Sequence, residues 1–142
     1  MLKKLFFICI CCLFTGCKTT QSLTFDVSTQ DQIEVSIHNH YDLKTDQDNF
    51  LIYNRQNQKV AEGIFLPKET YESLLNEKSQ VKVLEEDFKN KNPYFLCKVE
   101  NDYMYVLYLK DSQTGILLTC STSQKETKQI FENLDFKILE NS

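Results

Sequence analysis

Two apolar segments separated by two residues constrain the fold of this chain more than any other part of its sequence. They are residues 94–100 and 103–109, with Asn101 and Asp102 between them. Asn and Asp tolerate the positive φ values of a type I′ turn, so we predict an antiparallel hairpin with residue 100 opposite 103, and hence 97 opposite 106. Segment 103–109 is apolar on both faces apart from its tyrosine hydroxyls, which predicts an interior strand covered on both sides.

Alternating apolar residues predict further strands on either side of this hairpin. These strands cover residues 23–27, 33–37, 50–53, 59–65 and 116–121, and residues 136–139 form a short edge strand. Polar residues 54–58 fit a hairpin loop, and residues 38–49 a longer polar loop. The sequence leaves open whether residues 81–88 are strand or helix.

Two helices are expected. Pro67 suits the start of the first, which places Tyr71, Leu74 and Leu75 on one face. Ser123 and Glu126 form a capping box that begins the second helix, which runs through Asn133. We therefore predict an α+β fold: a mainly antiparallel sheet of about five to seven strands with two main helices packed on it.

The first 17 residues have a different character. Lys3 and Lys4 precede ten apolar residues, 5–14, and Thr15-Gly16-Cys17 follows. This order resembles the signal and lipobox of bacterial lipoproteins, in which a small residue precedes the cysteine thiol that accepts the diacylglyceryl group. Ten residues of helix reach only about 15 Å, too short to cross a bilayer. A plain secretory signal is the other alternative, and Cys17 directly after Gly16 argues against it.

The lipoprotein interpretation divides the chain into three parts. Residues 1–16 are a signal peptide, residues 17–22 contain the lipidated Cys17 and a tether, and residues 23–142 form a single globular domain. Two acyl chains suffice for stable attachment. We expect the protein on a bacterial cell membrane, held by lipid such as palmitate and facing the extracytoplasmic side.

Charge and cysteine content narrow the expected partners. Loss of Lys3 and Lys4 with the signal changes the net charge from −4 to −6, which disfavours nucleic acid and anionic lipid as ligands. Only Cys97 and Cys120 remain in the domain. The predicted hairpin order places residue 120 opposite 105 or 106, so both cysteines flank the same middle strand about 10 Å apart. A disulfide needs Cα atoms within about 7 Å, so we predict two free, buried thiols.

Few residues suggest chemistry. His38, His40 and Asp42 are candidate metal ligands, but two histidines without a third clear ligand favour a polar loop with solvated histidines. Asp46 and Asp48 follow, but a calcium loop also needs a glycine for its sharp turn, and none lies among residues 38–49. We predict no cofactor.

The sequence predicts no enzyme. It contains neither Gly-x-Ser-x-Gly nor a Gly-rich phosphate loop, and mid-strand Cys97 suits a core better than a thiol nucleophile. Tyr94, Tyr103 and Tyr105 share a face in the predicted hairpin. They are either half-buried tyrosines with wet hydroxyls or a surface that contacts a protein partner.

Residues 105–109, 115–121 and 130–136, with the strands and the capped helix between them, resemble the end of PsbP-like domains. The resemblance covers about residues 94–139. It implies a central antiparallel sheet in an α/β/α sandwich and a small exported lipoprotein with an accessory or binding role. No functional residues carry over, because the family offers no catalytic motif to match.

These observations lead to two hypotheses about function. The first is a membrane-anchored, non-enzymatic binding or assembly-support module with a protein partner. The alternative is a metal- or small-ligand-binding lipoprotein that uses the loop containing His38, His40 and Asp42.

Overall fold

The computed structural model describes residues 20–28 and 30–140 of the chain. The predicted signal peptide and Cys17 lie outside these residues. The described part forms ten strands, two α-helices and one 3₁₀ turn, Lys78–Gln80. The strands and helices are β1 Gln21–Asp26, β2 Asp31–Ile37, β3 Asp42–Asp46, β4 Asn49–Tyr53, β5 Lys59–Pro67, α1 Lys68–Glu77, β6 Lys82–Lys89, β7 Asn92–Val99, β8 Asp102–Leu109, β9 Thr114–Cys120, α2 Gln124–Asn133 and β10 Leu134–Glu140.

The strands form two antiparallel sheets. The larger has seven strands in the order β3-β4-β5-β9-β8-β7-β6, and the smaller has the order β1-β2-β10. This confirms the α+β class, the mainly antiparallel pairing and the two helices. The expectation of one sheet is wrong, because β10 pairs with β2 instead of extending the large sheet. Ile33, Val35 and Ile37 of β2 are fully buried in the main core, so the small sheet is a packed layer of its own.

The seven-stranded sheet is covered on both faces. Helix α1 packs on one face through Tyr71, beside Val106 of β8. The small sheet and α2 cover the other face, where Ile130 and Phe131 join the cluster that contains Tyr105. Strand β8 is therefore interior and buried on both sides, as its sequence predicts.

Two segments form strands that the sequence did not predict with certainty: one lies in the expected loop 38–49, and the other is the segment 81–88, which the sequence left open. Part of the expected loop 38–49 is strand β3, which pairs with β4 at the edge of the large sheet. Only Leu43 of β3 is buried, so the strand shows almost no hydrophobic alternation. Residues 82–89 form the opposite edge strand, β6, and this resolves the ambiguity at residues 81–88 in favour of a strand.

The second helix begins as predicted. The Ser123 hydroxyl oxygen accepts a hydrogen bond from the Glu126 backbone N–H at 3.1 Å, and α2 ends at Asn133. The Glu126 carboxylate accepts from the Thr122 hydroxyl. At α1, Pro67 is the last residue of β5 and precedes the helix, which begins at Lys68.

The central hairpin forms, but its predicted register is wrong by two residues. Val99 lies opposite Asp102, and Cys97 lies opposite Met104 instead of residue 106. The turn residues are Glu100 and Asn101, and Glu100 has the positive φ, 57°. A shift of two residues leaves every side chain on the same face, so alternation alone does not distinguish the two registers.

The two cysteines are free and buried, as predicted. Cys97 on β7 and Cys120 on β9 flank β8, where they lie opposite Met104 and Tyr103. The predicted position of Cys120 opposite 105 or 106 is wrong. Because consecutive residues of a strand point to opposite faces, the two thiols lie on opposite sides of the sheet, in different apolar clusters.

Candidate functional site

The structure does not bring the three predicted metal ligands together. His38, directly after β2, lies between two other partners. Its Nδ1 is 2.9 Å from the Thr20 hydroxyl oxygen, and its Nε2 is 2.7 Å from Oδ2 of Asp135. The His38 ring thereby joins the start of the described chain to β10.

The other two candidates have separate neighbours. His40 lies against Arg55, whose Nη2 is 2.8 Å from the His40 Nε2. The Asp42 carboxylate accepts a hydrogen bond from the Gln21 side chain at 2.7 Å. Within residues 20–28 and 30–140, no three His, Cys, Asp or Glu side chains are grouped to hold a metal ion.

Of the three tyrosines in the predicted surface, Tyr105 is in the core, and Tyr94 and Tyr103 are half-buried against it. Tyr105 is 2% exposed, and its ring stacks on Phe131 of α2, with centroids 3.8 Å apart and planes at 8°. Tyr94 meets Phe131 edge-on at 4.8 Å. We call Tyr94, Tyr105 and Phe131 the aromatic cluster. Tyr94, Tyr103 and Tyr105 do share a face, but α2 covers it, so Tyr105 is not available to a partner.

The Tyr94 hydroxyl, at the edge of the aromatic cluster, also has its hydrogen-bond partner within the fold. The Tyr94 hydroxyl donates to Oε1 of Glu85 at 2.7 Å, and the Lys128 Nζ lies 3.1 Å from the other Glu85 oxygen. Burial and this hydrogen bond raise the pKa of Tyr94, while the Tyr94 hydroxyl and Lys128 lower the pKa of Glu85. These contacts describe a structural cluster.

A different region is open to solvent. A pocket of about 490 Å³ lies between the β2–β3 turn, the β4–β5 turn and α2. Residues 39–41, residues 54–56 and three side chains of α2, Glu126, Gln129 and Asn133, line it. Five of these nine lining residues are Asn or Gln, so we call this cavity the amide pocket.

Local sequence chemistry shapes both turns that border the amide pocket. Asn54 accepts hydrogen bonds on its side-chain oxygen from the backbone N–H groups of Gln56 and Gln58, at 3.0 and 2.9 Å, which is the role Asn commonly has in turns. In the other turn, Asn39 has a φ of 71°. Its side-chain amide donates to the Asn133 side-chain oxygen, and this contact connects the turn to α2.

Helix α2 supplies the third wall. Glu126, Gln129 and Asn133 are spaced i, i+3 and i+7, so they form one polar face of the helix. Residues Thr127, Ile130 and Phe131, on its other side, are buried. Tyr41, on the facing turn, is partly buried, and its pKa is raised by that burial and then by the nearby Glu126 charge.

The amide pocket contains one cation and one anion that do not neutralise each other. Arg55 contacts His40, and Glu126 accepts from Thr122, but neither belongs to an ion pair among the described residues. The remaining lining groups are neutral donors and acceptors. Such a pocket is suited to a polar ligand that carries hydrogen-bonding groups and charge of both signs.

Sequence reasoning identified only His40 among the residues of the amide pocket. The sequence feature that could have indicated the amide pocket is the polar face of α2, formed by Glu126, Gln129 and Asn133. The capping box marks where this helix begins. Nothing in the sequence indicates that this face lies opposite two turns from the other half of the chain.

No family model matches this chain, and neither a curated protein nor a solved structure matches it. Neither helix in the described part has the length and apolar character required to cross a membrane.

Proposed function

We propose that this chain is a lipid-anchored bacterial lipoprotein whose domain is a non-enzymatic binding module, and that the amide pocket is its binding site. The observation that carries the second part is the polar pocket itself, with Arg55 and Glu126 on its walls and neither of them ion-paired within the described part of the chain. The lipobox-like Thr15-Gly16-Cys17 supports the first part.

The state of the thiols supports a role in binding. Cys97 and Cys120 lie in the core, outside the amide pocket, and burial raises the pKa of both thiols. A thiol nucleophile needs a lowered pKa and access to substrate. The groups that do reach the amide pocket are mainly carboxamides, which bind and orient ligands.

The path of the chain supports a position near the membrane. Cys17 precedes Thr20 by three residues, which span at most about 11 Å. The Thr20 hydroxyl contacts His38, and the next two residues, Asn39 and His40, line the amide pocket. A lipid on Cys17 therefore keeps the amide pocket close to the bilayer surface.

The fold is compatible with the proposed PsbP-like membership. Residues 94–139 extend from β7 to β10, and α1 and α2 pack on opposite faces of the large sheet. Strands β1, β2 and β10 share one of these faces with α2, so the arrangement includes a sheet layer in addition to the two helices.

The alternative hypothesis is a lipoprotein that binds a metal or a small ligand, and its small-ligand part is consistent with this proposal. His40 lines the amide pocket, so the small-ligand hypothesis and the binding-module hypothesis refer to the same place. The metal half has less support, because His38 and Asp42 lie with Asp135 and Gln21.

Metabolic labelling tests the anchor. Cells that express the full chain are grown with an alkyne-tagged palmitate, and membranes are separated from soluble protein. We expect label and membrane association for the wild type, and loss of both for Cys17→Ala. Cys9→Ala, a matched change within the signal, keeps both. Label on Cys17→Ala would refute lipidation at this position.

Co-purification tests the pocket. The protein is isolated from native membranes, and bound molecules are identified by mass spectrometry. The double variant Arg55→Gln/Glu126→Gln is expected to lose a bound molecule that the wild type and the control Lys125→Gln/Glu132→Gln both retain. The control removes the same charges from exposed positions of α2 outside the pocket. Equal recovery from all three proteins would refute binding at the amide pocket.

A further inference from the structure

We propose that the ligand of the amide pocket is a small zwitterion, in which an ammonium group and a phosphate or carboxylate are joined by a short linker. The nearest source of that chemistry is a phosphoethanolamine lipid headgroup. This inference rests on the proposed function, because it names the class of ligand for the same site.

Arg55 and Glu126 line one cavity and come from different elements, the β4–β5 turn and the first turn of α2. In the described part of the chain, neither is ion-paired with the other or with any other side chain. A ligand with one charge of each sign satisfies both, with its anionic group on the Arg55 guanidinium and its ammonium on the Glu126 carboxylate.

The remaining walls set the size and polarity of the ligand. A volume of about 490 Å³ lies within the usual range for small-molecule sites, about 300–1,000 Å³. The carboxamides of Gln56 and Gln129 offer both donors and acceptors, which suit phosphate oxygens, ester oxygens and N–H groups. The polar lining gives no comparable site for an acyl chain, so only the headgroup enters.

Charge argues against a purely anionic ligand. The mature protein has a net charge of −6, since Lys3 and Lys4 leave with the signal, and Glu126 adds a local negative charge to the pocket. An anion would meet both repulsions, whereas a zwitterion carries no net charge and places its ammonium on Glu126.

The lipid anchor favours a headgroup over a free solute. Thr20 is three residues from Cys17, and the Thr20–His38 contact holds that end of the chain beside Asn39 and His40 of the amide pocket. A tethered site close to a surface meets headgroups at a high effective concentration. Weak intrinsic affinity is then sufficient for occupancy.

The test uses the mature chain, residues 17–142, with Cys17→Ser, so that no lipid holds it on a membrane. Titration calorimetry compares glycerophosphoethanolamine with glycerophosphoglycerol, which is only anionic, and with ethanolamine, which is only cationic. We expect the zwitterion to bind at least about tenfold more tightly than either. Arg55→Gln and Glu126→Gln are each expected to weaken it by about tenfold or more, the loss typical of one charge-assisted hydrogen bond. Lys125→Gln and Glu132→Gln serve as controls and leave binding unchanged.

Two further binding measurements distinguish a lipid headgroup from a soluble molecule as the source of the zwitterion. Dialanine is a soluble zwitterion of similar size. Vesicles of phosphatidylethanolamine with phosphatidylcholine are compared in sedimentation with vesicles of phosphatidylcholine alone, whose trimethylammonium group has no N–H to donate to Glu126. Recruitment to the first vesicles only, lost in Arg55→Gln, supports the headgroup. Dialanine binding without recruitment overturns the headgroup source and leaves the zwitterion chemistry supported.

Equal binding of glycerophosphoglycerol and glycerophosphoethanolamine, or no binding of any zwitterion, overturns the proposal. That failure is distinct from a failure of the proposed function. The latter appears in the co-purification experiment as equal recovery from wild type and the Arg55→Gln/Glu126→Gln variant.

Discussion

Helix α2 borders two neighbouring regions of opposite character. On one side, Phe131 closes the aromatic cluster against Tyr105. On the other, Gln129 and Asn133 line the amide pocket. In the aromatic cluster, the Tyr94 hydroxyl has its hydrogen-bond partner, Glu85, within the fold. In the amide pocket, Arg55 and Glu126 have no ion-pair partner among the described residues.

This difference separates the groups that stabilise the fold from those available to a ligand. Buried area and satisfied hydrogen bonds in the aromatic cluster favour folding. Arg55 and Glu126, which have no ion-pair partner among the described residues, contribute little to the stability of the fold. Their charges are therefore available to interact with a bound molecule. The comparison predicts which substitutions on either side of α2 change stability and which change only binding.

The largest expected effect is on the reactivity of the Cys120 thiol, which tests whether the core is closed to solvent from the amide pocket. Cys120 is fully buried, and burial raises the pKa of its thiol to about 12. Relative to the ordinary cysteine pKa of 9.0, the fraction of thiolate at pH 8 is smaller by about a thousandfold. We therefore expect native Cys120 to react with iodoacetamide at least that much more slowly than in guanidinium chloride.

Mass spectrometry of the mature Cys17→Ser chain measures this rate. Buried Cys97 is expected to behave in the same way, and both thiols should react fully after denaturation, which serves as the control. Rapid native labelling of Cys120 would mean that the amide pocket opens into the core. A mass two units lower would indicate a disulfide and contradict the observed strand order.

The next effect distinguishes the two sides of α2. Phe131→Ala removes a ring that is 5% exposed and contacts both Tyr94 and Tyr105. We expect it to lower the free energy of unfolding by about 3–5 kcal/mol, the usual cost of an aromatic truncation in a core. Gln129→Ala, on the pocket side, is expected to change it by less than about 0.5 kcal/mol. Urea denaturation of both variants tests the contrast, and similar losses would contradict it.

How much of the fold the sequence predicts depends on burial. Segments rich in apolar residues are all correctly predicted as strands, whether these residues alternate, as in β2, or form a nearly continuous run, as in β8 and β9. Strand β3 is missed because it is an edge strand with one buried residue, Leu43. The hairpin register is missed because alternation specifies which face a residue occupies and leaves a slip of two residues open. The division into two sheets depends on β10 pairing with β2, a contact between distant parts of the chain.

The amide pocket is harder to predict than the fold, for a related reason. Its residues are polar and are on turns or an exposed helix face, where composition also fits simple solvation. Of the candidate site residues predicted from the sequence, only His40 lies there. Tyrosine is common at interfaces, which made these side chains candidates for a partner surface, but Phe131 of α2 stacks on Tyr105 and buries it. Only tertiary structure shows which polar residues face each other across a cavity.

A smaller effect on the free energy of unfolding is expected when the Tyr94–Glu85 hydrogen bond, at the edge of the aromatic cluster, is removed. Tyr94→Phe removes the hydroxyl that donates to Glu85, and we expect a loss of about 1 kcal/mol at pH 7. The pKa of Glu85 is lowered in the fold, first by this hydrogen bond. The stabilisation is therefore present above its ordinary pKa of about 4.5 and disappears as pH falls through the lower folded value.

Urea denaturation at pH 7 and at pH 3 measures both parts of this prediction. The difference between wild type and Tyr94→Phe should be larger at pH 7. Tyr53→Phe, at a partly exposed ring on β4, is the matched control and should show no such change. A difference that grows toward acid would have the wrong sign and would exclude Glu85 as the cause.

The smallest expected effect is the one that most directly supports the contrast. Arg55 contacts His40 but has no ion-pair partner among the described residues, so Arg55→Gln should leave the free energy of unfolding within about 0.5 kcal/mol of the wild type. Lys128→Gln removes an equally charged side chain that is paired with Glu85, and should cost up to about 1 kcal/mol. Both are measured by urea denaturation at low salt, where ion pairs are least screened. A loss of 1 kcal/mol or more in Arg55→Gln would show that the Arg55–His40 contact stabilises the fold, and Arg55 would then belong with the aromatic cluster as a structural residue.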